Sequence, residues 1–598
     1  MTGQSRFLKD SLCRFLAIST EVREMTDLKR IEPFGDGFVS ALCPELILFA
    51  GMIALILIPN LGKGTFRIPG TQIRLPWLLG GQRFDITSNP RLPSWIATIT
   101  LSLAFLDVLY IFSQGLDRTL IVTDSGKELL LINGFSRVFE LIFFGALALA
   151  SLASMNRLQV DGVGSKVSEL ELYNNRRQAD FYILMVTCAL GMSVVALAQD
   201  LFVLFIGLEL ASFSTYVLVA FMKESKVGAE SGMKYFIVGS VASGVGLYGL
   251  SMLYLWAGSL QFSVLSVAFA ESGTTALPLI GIGFVLVGFG FKVSAVPFHF
   301  AAPDAYSGAT SPVAGVLATA SKAMGMLGLV RMLLIVAAPE SSDGSAVWLI
   351  CLGAIAAITM TWGNLAALGS DNPKRMLAYS SVAHAGYMLA ALTAVGAWNW
   401  DATVSGDASA AAVAVMTALL FHLVVLVAFK LGAFLVLSIL ESDGGASHLS
   451  SLGGLAKREP LLAVAMFIFM ISLAGVPPMA GFLSKLLVIM GIVRVAVGDM
   501  GAEIADGGVY ALGDLHWVWW LALLMVINSA ISMFYYLRVG VVMFFDEPEE
   551  GREGPLPAGW QVRTAVLACV LVTLLVGVAG DSLIRLCEMA AQSLNYNW

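Results

Sequence analysis

The chain has 598 residues, of which 58% are hydrophobic and only 13% charged, and its mean hydropathy is +0.82. These values exclude a soluble globular domain and indicate a polytopic membrane protein. The net charge of -7 comes without a basic stripe of interleaved aromatic residues, which argues against nucleic-acid binding. The six cysteines are scattered without the spacing of metal ligands or of disulfide pairs, so we predict no metal or iron–sulfur site in the chain.

Residues 1–40 are mixed and charged, and we interpret them as an N-terminal extension, a leader or surface helix, before one membrane domain at 41–590. A helix needs roughly 20 apolar residues to cross the hydrocarbon layer, and about fourteen such segments follow. In chain order they are 41–59, 92–113, 131–154, 179–199, 200–222, 232–257, 278–300, 311–336, 347–368, 376–398, 410–440, 461–494, 516–543 and 564–586. The predicted fold class is therefore all-α.

Lysine and arginine in short loops predict the orientation, because these residues accumulate on the cytoplasmic side. Loops of one parity carry most of them: Arg157, Lys166, Arg176, Arg177, Lys223, Lys226, Lys374, Arg375, Lys457, Arg458 and Arg552. The opposite parity has little beyond Arg118 and Lys127. We therefore expect a multi-pass protein of the cell's inner (plasma) membrane with both termini on the non-cytoplasmic side.

Prolines interrupt two of the predicted membrane helices. Pro297 lies late in the seventh segment, and Pro477 and Pro478 lie inside the twelfth. Proline removes a backbone donor and clashes with the preceding turn, so both helices should be broken near mid-membrane. Broken helices at corresponding positions are typical of transporters built from inverted repeats.

Several ionisable side chains lie inside apolar segments, and they are the candidate functional residues: Glu209, Lys234, Lys292 and Lys322, with Lys485 after the second break. Each charge costs about 2.5–3.5 kcal/mol at the bilayer centre, which favours a role in ion or proton translocation. The alternative is that the lysines extend to the membrane surface or serve packing. That alternative is weakest for Lys322, which lies near the middle of its segment.

Two spacings predict specific neighbours. Glu209 and Lys234 lie on consecutive predicted helices, so we expect them to pair, and Glu230 lies four residues before Lys234 on the same helical face. His299 follows Lys292 by seven residues, which predicts a shared face if the helix continues. A lysine whose partner carboxylate moves away can release its proton.

Two further histidines lie in predicted helices. His384 precedes Tyr387 by three residues, and His422 precedes Lys430 by eight. Histidine titrates near neutral pH and can relay protons, although each of these rings can equally be a structural core residue.

Seven stretches of the chain carry a family resemblance. They are CPELILF near Cys43, INGFSRVFELIFF at 132–144, AQDLFVLFIGLELASFSTYVLVAF at 198–221, SGMKYFIVGSVASGVGLYG at 231–249, FKVSAVPFHFAAPDAYSGATSPVAGVLATASKAMG at 291–325, DNPKRMLAYSSVAHAGYML at 371–389 and LAGVPPMAGFLSK at 473–485. In this order they resemble subunit N (mitochondrial subunit 2) of respiratory complex I, one of its antiporter-like membrane subunits.

The resemblance implies fourteen helices with two inverted five-helix repeats, helices four to eight at about 179–336 and nine to thirteen at about 347–543. It also implies a proton path in each repeat, joined by a central hydrophilic axis. Protons would enter from the cytoplasm past Lys234 or Lys292, reach Lys322, cross through His384 and leave near Lys485 or Lys430. Glu209 would set the proton affinity of the lysines.

The resemblance also implies that the chain holds no cofactor. Flavin, iron–sulfur clusters and quinone would bind to partner subunits, which comprise other membrane subunits and, indirectly, a peripheral redox arm fed by NADH, ferredoxin or a deazaflavin. His422 and Lys430 resemble the pattern of the larger antiporter-like subunits, so a subunit of an Mrp-type cation/proton antiporter complex is an alternative. A structural scaffold, whose lysines only lock helices together, is a second alternative.

Overall fold

The computed structural model describes residues 29–57, 61–67, 74–78, 91–114, 119–123, 126–155, 169–272, 275–336, 347–397, 407–442, 448–497, 516–549, 554–556 and 558–594. Residues 1–28 of the predicted N-terminal extension lie outside the described residues. Twelve helices of the described part are long and apolar enough to cross a membrane, which confirms a polytopic, all-helical membrane protein.

Two small sheets accompany the helices near the N-terminus. The strands are β1 (Lys29–Ile31), β2 (Leu61–Arg67), β3 (Arg74–Leu78), β4 (Thr119–Val122) and β5 (Glu128–Ile132). Strand β1 pairs in parallel with β4, which pairs antiparallel with β5, and β2 and β3 form an antiparallel hairpin. The end of the predicted extension is thus joined to the membrane domain through β1. The predicted third span begins later than expected, because residues 131 and 132 belong to β5.

The helices of the first half follow in chain order: α1 (Phe38–Ala41), α2 (Cys43–Leu57), α3 (Leu92–Gln114), α4 (Gly134–Ser154), α5 (Glu169–Leu197), α6 (Leu201–Val219), α7 (Lys226–Ala257), α8 (Phe262–Ser272), α9 (Ala276–Val293), α10 (Ala301–Gly308), α11 (Ser311–Ala318) and α12 (Ala320–Val330). A π-helical segment, Arg331–Val336, extends α12.

The second half contains α13 (Val347–Leu368), α14 (Pro373–Ala397), α15 (Asp407–Leu426), α16 (Gly432–Glu441), α17 (Leu455–Arg458), α18 (Pro460–Ala474), α19 (Ala480–Val497), α20 (Trp519–Phe545), α21 (Trp560–Val578) and α22 (Asp581–Gln592). A π-helical segment, Val427–Leu431, joins α15 to α16, and a short 3-10 helix spans Leu449–Leu452. The predicted last span, 564–586, is therefore two helices, α21 and α22.

Both predicted helix breaks are present. Helix α9 ends at Val293, and Ser294 follows in the left-handed region with φ 62°. Helix α18 ends at Ala474, and Gly475 follows with φ 86°, a conformation that glycine adopts without steric cost. The predicted spans 278–300 and 461–494 are therefore each interrupted, and the chain leaves the helix before Pro297 and before Pro477.

A third break separates α11 from α12, inside the predicted eighth span. Thr319 has φ -121° and ψ -82°, and its hydroxyl donates to the carbonyl of Gly315 at 2.8 Å. No proline marks this break. The nearest one, Pro312, lies in the first turn of α11, where a missing N–H is tolerated and the helix is not interrupted. The break places the next turn, with Lys322, at the start of a new helix.

The centre of the bundle is formed by the α11–α12 and α15–α16 segments. Apolar windows of these two segments are 100% and 94% buried, whereas that of α7 is 39% buried. Helices α13 and α14 approach each other closely, since a Cβ added at Gly386 would lie 2.4 Å from the backbone nitrogen of Met360. Small residues allow such contacts between membrane helices. The buried lysines of the two central segments therefore lie far from lipid.

Candidate functional site

Lys292 lies in the last turn of α9 and is 4% exposed. Its ammonium lies 4.9 Å from the ring centroid of Tyr216 and 5.9 Å from that of Tyr235. Aromatic faces attract cations at these distances. Lys292 Nζ has no hydrogen-bond partner among the residues that the structure describes. Within the described residues, aromatic faces rather than hydrogen bonds therefore surround the ammonium of Lys292.

The predicted pairing of Glu209 with Lys234 is wrong. The Lys234 ammonium lies 2.7 Å from Glu230, the partner expected from the four-residue spacing, and 3.2 Å from Asp304. Glu209 instead accepts a hydrogen bond from Ser243 at 2.6 Å. Ser243 follows Lys234 on α7 by about two and a half turns, so the two side chains lie on opposite faces of that helix.

Glu209 lies on the side of α7 where Lys292 is found. The charge of Glu209 acts on Lys292, and α9 packs along α7. The Lys234 side chain is 50% exposed and faces outward. Of the two lysines, Lys292 is thus the one on the same side of α7 as Glu209.

His299 does not share a helical face with Lys292, in contrast to the prediction, because α9 ends at Val293. The residue lies in the non-helical segment after Pro297, with its ring centroid 6.1 Å from that of Trp362. Its Nδ1 is buried and has no hydrogen-bond partner within the described part of the chain. The break thus places His299, with one buried ring nitrogen unsatisfied among the described residues, in the non-helical segment that follows α9.

Lys322 is fully buried at the start of α12 and joins the two halves of the bundle. It donates to the carbonyl of Val293 at 3.1 Å and to the carbonyl of Ser381 on α14 at 2.8 Å. The Val293 carbonyl is available because α9 ends there and the helix supplies no later donor. The central lysine therefore binds to the first helix break.

The second half contains a continuous chain of polar side chains between Lys430 and Ser484. Lys430, in the π-helical segment, donates to the hydroxyl of Ser380, which contacts the hydroxyl of Tyr536. Tyr536 Oη lies 3.5 Å from His384 Nε2, and His384 Nδ1 lies 3.1 Å from His422 Nε2.

His422 continues this chain to α19, since its Nδ1 lies 3.1 Å from Ser484 Oγ. The rings of His384 and His422 are stacked, with centroids 5.2 Å apart. Hydroxyl and imidazole groups both donate and accept, so a proton can pass along such a chain by exchange of hydrogen bonds.

Lys485 follows Ser484 and binds to the second helix break. It donates to the carbonyls of Leu473 and Ala474 at 2.8 and 3.2 Å, the last two residues of α18. Its ammonium also lies 5.7 Å from the ring centroid of Tyr387. The hydroxyl of Tyr387 accepts from Asn364 at 3.0 Å, which keeps the ring in place.

Sequence reasoning missed several of these polar residues: Thr319, Ser380, Asn364, Ser484 and Tyr536. The available signal was a set of polar residues inside apolar segments, which need partners because lipid supplies none. Thr319, Ser380 and Ser484 lie inside stretches that carry the family resemblance, at 291–325, 371–389 and 473–485. Tyr536 lies in none of these stretches.

A second feature that sequence reasoning missed is a network of ion pairs at the helix ends that the basic loops connect. Asp304 pairs with Lys234 and also with Arg375 at 3.1 Å. The neighbouring Lys374 pairs with Glu441 at 2.7 Å, and Glu441 accepts from Ser311 at 2.6 Å. Adjacent residues of α14 thus bind acids from both halves of the molecule.

No group of three or more histidine, cysteine, aspartate or glutamate side chains that could hold a metal ion is found among the described residues.

Comparison with known proteins identifies relatives over most of the chain. The sequence profile of the family described as NADH:quinone oxidoreductase/Mrp antiporter, TM, matches residues 198–501. A relative from Heliobacterium modesticaldum, named NADH-quinone oxidoreductase subunit N, is 35% identical over 488 residues, which are 81% of this chain and 90% of that protein.

Two solved structures show similar folds. A chain of respiratory complex I from Thermus thermophilus with bound aureothin has 27% identity and a TM-score of 0.64, with 91% of this chain and 99% of that chain covered. A chain of the Mrp complex from a Dietzia species has 19% identity and a TM-score of 0.71, with 93% and 98% covered, and therefore shows the fold alone. The chain belongs to the NADH:quinone oxidoreductase/Mrp antiporter family of membrane subunits.

Proposed function

We propose that the chain is the subunit N of an NADH-quinone oxidoreductase of the complex I type and that it translocates protons across the membrane without redox chemistry of its own. The observation that carries the proposal is the position of Lys322, which is fully buried and bridges a helix break of one half to α14 of the other. The similarity to proteins named subunit N, which covers 81% of this chain and 90% of the Heliobacterium relative, supports the same assignment.

The proposed route begins at the outward-facing cluster of Lys234, Glu230 and Asp304. It passes Lys292 and His299, whose unpaired nitrogens lie beside the first break, and reaches Lys322. A charge at a buried site costs free energy, and a charged lysine makes it more costly for a neighbouring lysine to be charged as well. A proton that arrives at one lysine therefore favours release of the proton from the next. Glu209 acts on Lys292 and, when it moves away, lowers the tendency of that lysine to hold a proton.

In the second half the route follows the hydrogen-bonded chain described above. The proton crosses from Lys322 to Lys430 and His384, continues through His422 and Ser484, and leaves near Lys485. Tyr387 and the breaks at Pro297, Pro477 and Pro478 support this geometry. The proposal includes two inverted five-helix repeats, at about 179–336 and 347–543, with the parts of the route in corresponding positions.

The proposal also covers partners and placement. Other membrane subunits and, indirectly, a peripheral redox arm supply the free energy, and flavin, iron–sulfur clusters and quinone reside in those partners. The chain lies in the inner (plasma) membrane with its basic loops in the cytoplasm and both termini outside. The charge network around Asp304 and Lys374 then lies on the cytoplasmic side, where protons enter.

An Mrp-type cation/proton antiporter subunit is the second candidate. The family profile that matches residues 198–501 includes Mrp antiporters in its description, which favours this candidate. This candidate predicts transport that depends on sodium and requires no electron donor. The similarity to subunit N at 35% identity outweighs it.

The test is NADH-driven proton uptake by inverted membrane vesicles that carry Lys322→Met, with assembly checked on a native gel. We expect an assembled complex that no longer pumps through this subunit, so proton uptake per NADH falls. The matched control is Lys457→Met, which removes an exposed lysine paired with Glu547 and should leave uptake unchanged. Full uptake in assembled Lys322→Met would disprove the route, and failed assembly of Lys322→Met with normal Lys457→Met would favour the scaffold role.

A further inference from the structure

A second cluster of buried charged groups lies among α2, α3, α4 and α5, outside the proposed route. Arg137 on α4 donates to Glu140 at 2.5 Å and to Glu45 on α2 at 3.4 Å. It also donates to the carbonyl of Ala41 at 2.6 Å. The side chains of Arg137 and Glu140 are 2% and 0% exposed, whereas that of Glu45 is 12% exposed.

The cluster holds more acidic than basic groups. Asp107 on α3 lies close enough to Arg137 for their charges to interact, and the Cys43 thiol lies within hydrogen-bonding reach of Asp107. Three carboxyl groups therefore face one guanidinium. If all were ionised, the cluster would carry two uncompensated negative charges inside a membrane protein, which is costly.

The Ser193 hydroxyl shows where a proton is required. Ser193 Oγ lies 2.8 Å from Glu45 Oε1 and 2.9 Å from Glu140 Oε1. A hydroxyl has one hydrogen, so it donates to only one of the two carboxyl oxygens. The other contact is a hydrogen bond only if that carboxyl group is protonated and donates to Ser193.

The remaining contacts decide which carboxyl group that is. Glu45 Oε1, which contacts Ser193, also accepts from Arg137, so it is an acceptor. Glu140 Oε2 accepts from Arg137, which leaves its Oε1 free to carry hydrogen toward Ser193. Glu140 is also the more deeply buried of the two, where the neutral form costs less.

Unsatisfied atoms point to an exchangeable occupant at this site. Arg137 Nε, Glu45 Oε2 and Asp107 Oδ2 are buried and have no hydrogen-bond partner in the described part of the chain. Arg137 itself is 1% exposed. Such groups usually bind water or a proton.

We propose that Glu140, Ser193 and Glu45 form a proton-binding site in which Glu140 is a carboxylic acid and Glu45 a carboxylate. The proton leaves Glu140 Oε1 for Ser193 Oγ while the serine hydrogen moves to Glu45 Oε1, so the hydroxyl is restored. Glu45, the partly exposed member, then exchanges the proton with the surface. The site goes beyond the lysine route and does not depend on it.

The site is mechanically connected to the helix that carries Lys322. Arg331, which begins the π-helical extension of α12, donates to the carbonyls of Ala196 and Ala198. These residues lie just after Ser193, at the end of α5. A displacement of α12 therefore reaches the end of the helix that holds Ser193.

The test compares Glu140→Gln with Glu45→Gln in the assembled complex. A glutamine at position 140 reproduces the protonated acid, because its oxygen accepts from Arg137 and its amide donates to Ser193. We expect this variant to assemble with an unchanged Tm and to lose a carboxylic-acid carbonyl band, sensitive to D2O, from the infrared spectrum. Glu45→Gln should retain the band and lower Tm, because it removes the carboxylate that balances Arg137.

The exposed control is Glu224→Gln, which removes a carboxylate paired with Arg177 at the surface and should leave the band unchanged. The proposal is overturned if Glu140→Gln fails to assemble, if no band is lost in it, or if Glu45→Gln is the tolerated variant. These outcomes are independent of proton pumping, so they distinguish a failure of this site from a failure of the proposed function.

Discussion

The helix breaks after Val293 and after Ala474 both free carbonyl groups inside the membrane domain, but different lysines bind them. At the second break, Lys485 from the following helix α19 donates to Leu473 and Ala474. At the first break, the Val293 carbonyl accepts from Lys322, three helices further along the chain. The lysine that precedes the first break, Lys292, is left beside aromatic rings.

The two breaks share the same local feature, a helix end with free carbonyl groups, but place their lysines in different electrostatic surroundings. Freed carbonyls stabilise an ammonium because they carry partial negative charge and lack intrahelical donors. Lys485 is therefore held by a local contact, whereas Lys322 is held across the bundle and senses both halves. Lys292, in contrast, contacts aromatic faces and binds no carbonyl of either break among the described residues.

The largest expected effects come from replacing Lys485, at the second break, or Lys292, at the first break, by methionine. Lys485→Met leaves two carbonyls without their donor, at a cost of about 1–3 kcal/mol for each. Lys292→Met removes no protein hydrogen bond of the described residues and should leave Tm unchanged or raise it. Both variants should lose proton uptake, as measured in vesicles, with Tm measured on the purified complex.

The two substitutions are each other's control, since both replace a buried lysine by an apolar side chain of similar volume. An equal loss of Tm in both variants would show that Lys485 and Lys292 contribute equally to stability. This result would contradict the proposed difference between the two breaks. Unchanged uptake in Lys292→Met would remove that lysine from the route.

A smaller effect is expected from Tyr536→Phe, which removes the hydroxyl between Ser380 and His384. The second half would then lack its connection from Lys430 to the histidines, and we expect pumping to slow roughly tenfold, a barrier increase of about 1.4 kcal/mol. Proton uptake at saturating NADH measures this. Tyr248→Phe, at an exposed site on α7, is the matched control. An equal pumping rate in both variants would contradict a proton path through the hydroxyl of Tyr536.

The smallest effect concerns the ion pair at the start of α18, the helix whose other end is the second break. Two hydrogen bonds from Arg563, at 2.8 and 3.0 Å, hold the pKa of Glu459 below its ordinary value. A lowered pKa means that the pair stabilises the fold above the ordinary value of 4.5 and that this contribution is lost as pH falls through the lower, folded pKa.

Glu459→Gln should therefore lower stability at pH 7 by up to about 1 kcal/mol, the range for partly exposed pairs. The difference in Tm from wild type should vanish in acid below the folded pKa. Glu547→Gln, in the exposed pair with Lys457, should change Tm less at every pH. A Glu459→Gln difference that persists in acid would indicate a packing effect rather than an ionic one.

The sequence predicted the fold class correctly, and the burial of Lys292 and Lys322 agrees with their apolar segments, whereas the proton-carrying role of these lysines stays a prediction. Lipid penalises charge and unpaired backbone, so Lys292, Lys322 and the prolines stand out against apolar surroundings. The partner of Glu209 was predicted wrongly because neighbouring helices were assumed to face each other through Lys234. The rotation of α7, which turns Ser243 inward and Lys234 outward, is set by packing.

The sequence also did not predict the contacts between residues that lie far apart along the chain. Tyr536 meets Ser380 across 156 positions, and no local pattern predicts such a pair. The break at Thr319 carries no proline, so the eighth span was predicted as continuous. In contrast, the spacing of Glu230 and Lys234 predicted their contact correctly, because four residues are one turn of a helix.

The sequence by itself determined that the chain spans a membrane, where two of its helices break and that Lys292 and Lys322 are buried, although it wrongly grouped the half-exposed Lys234 with them. These properties follow from local composition and from the backbone chemistry of proline. Only the tertiary structure decided which carbonyl each lysine binds, how the histidines and hydroxyls connect, and that Ser193 bridges two carboxyl groups. Hydrogen bonds depend on distances of a few tenths of an ångström between distant helices, and packing sets those distances.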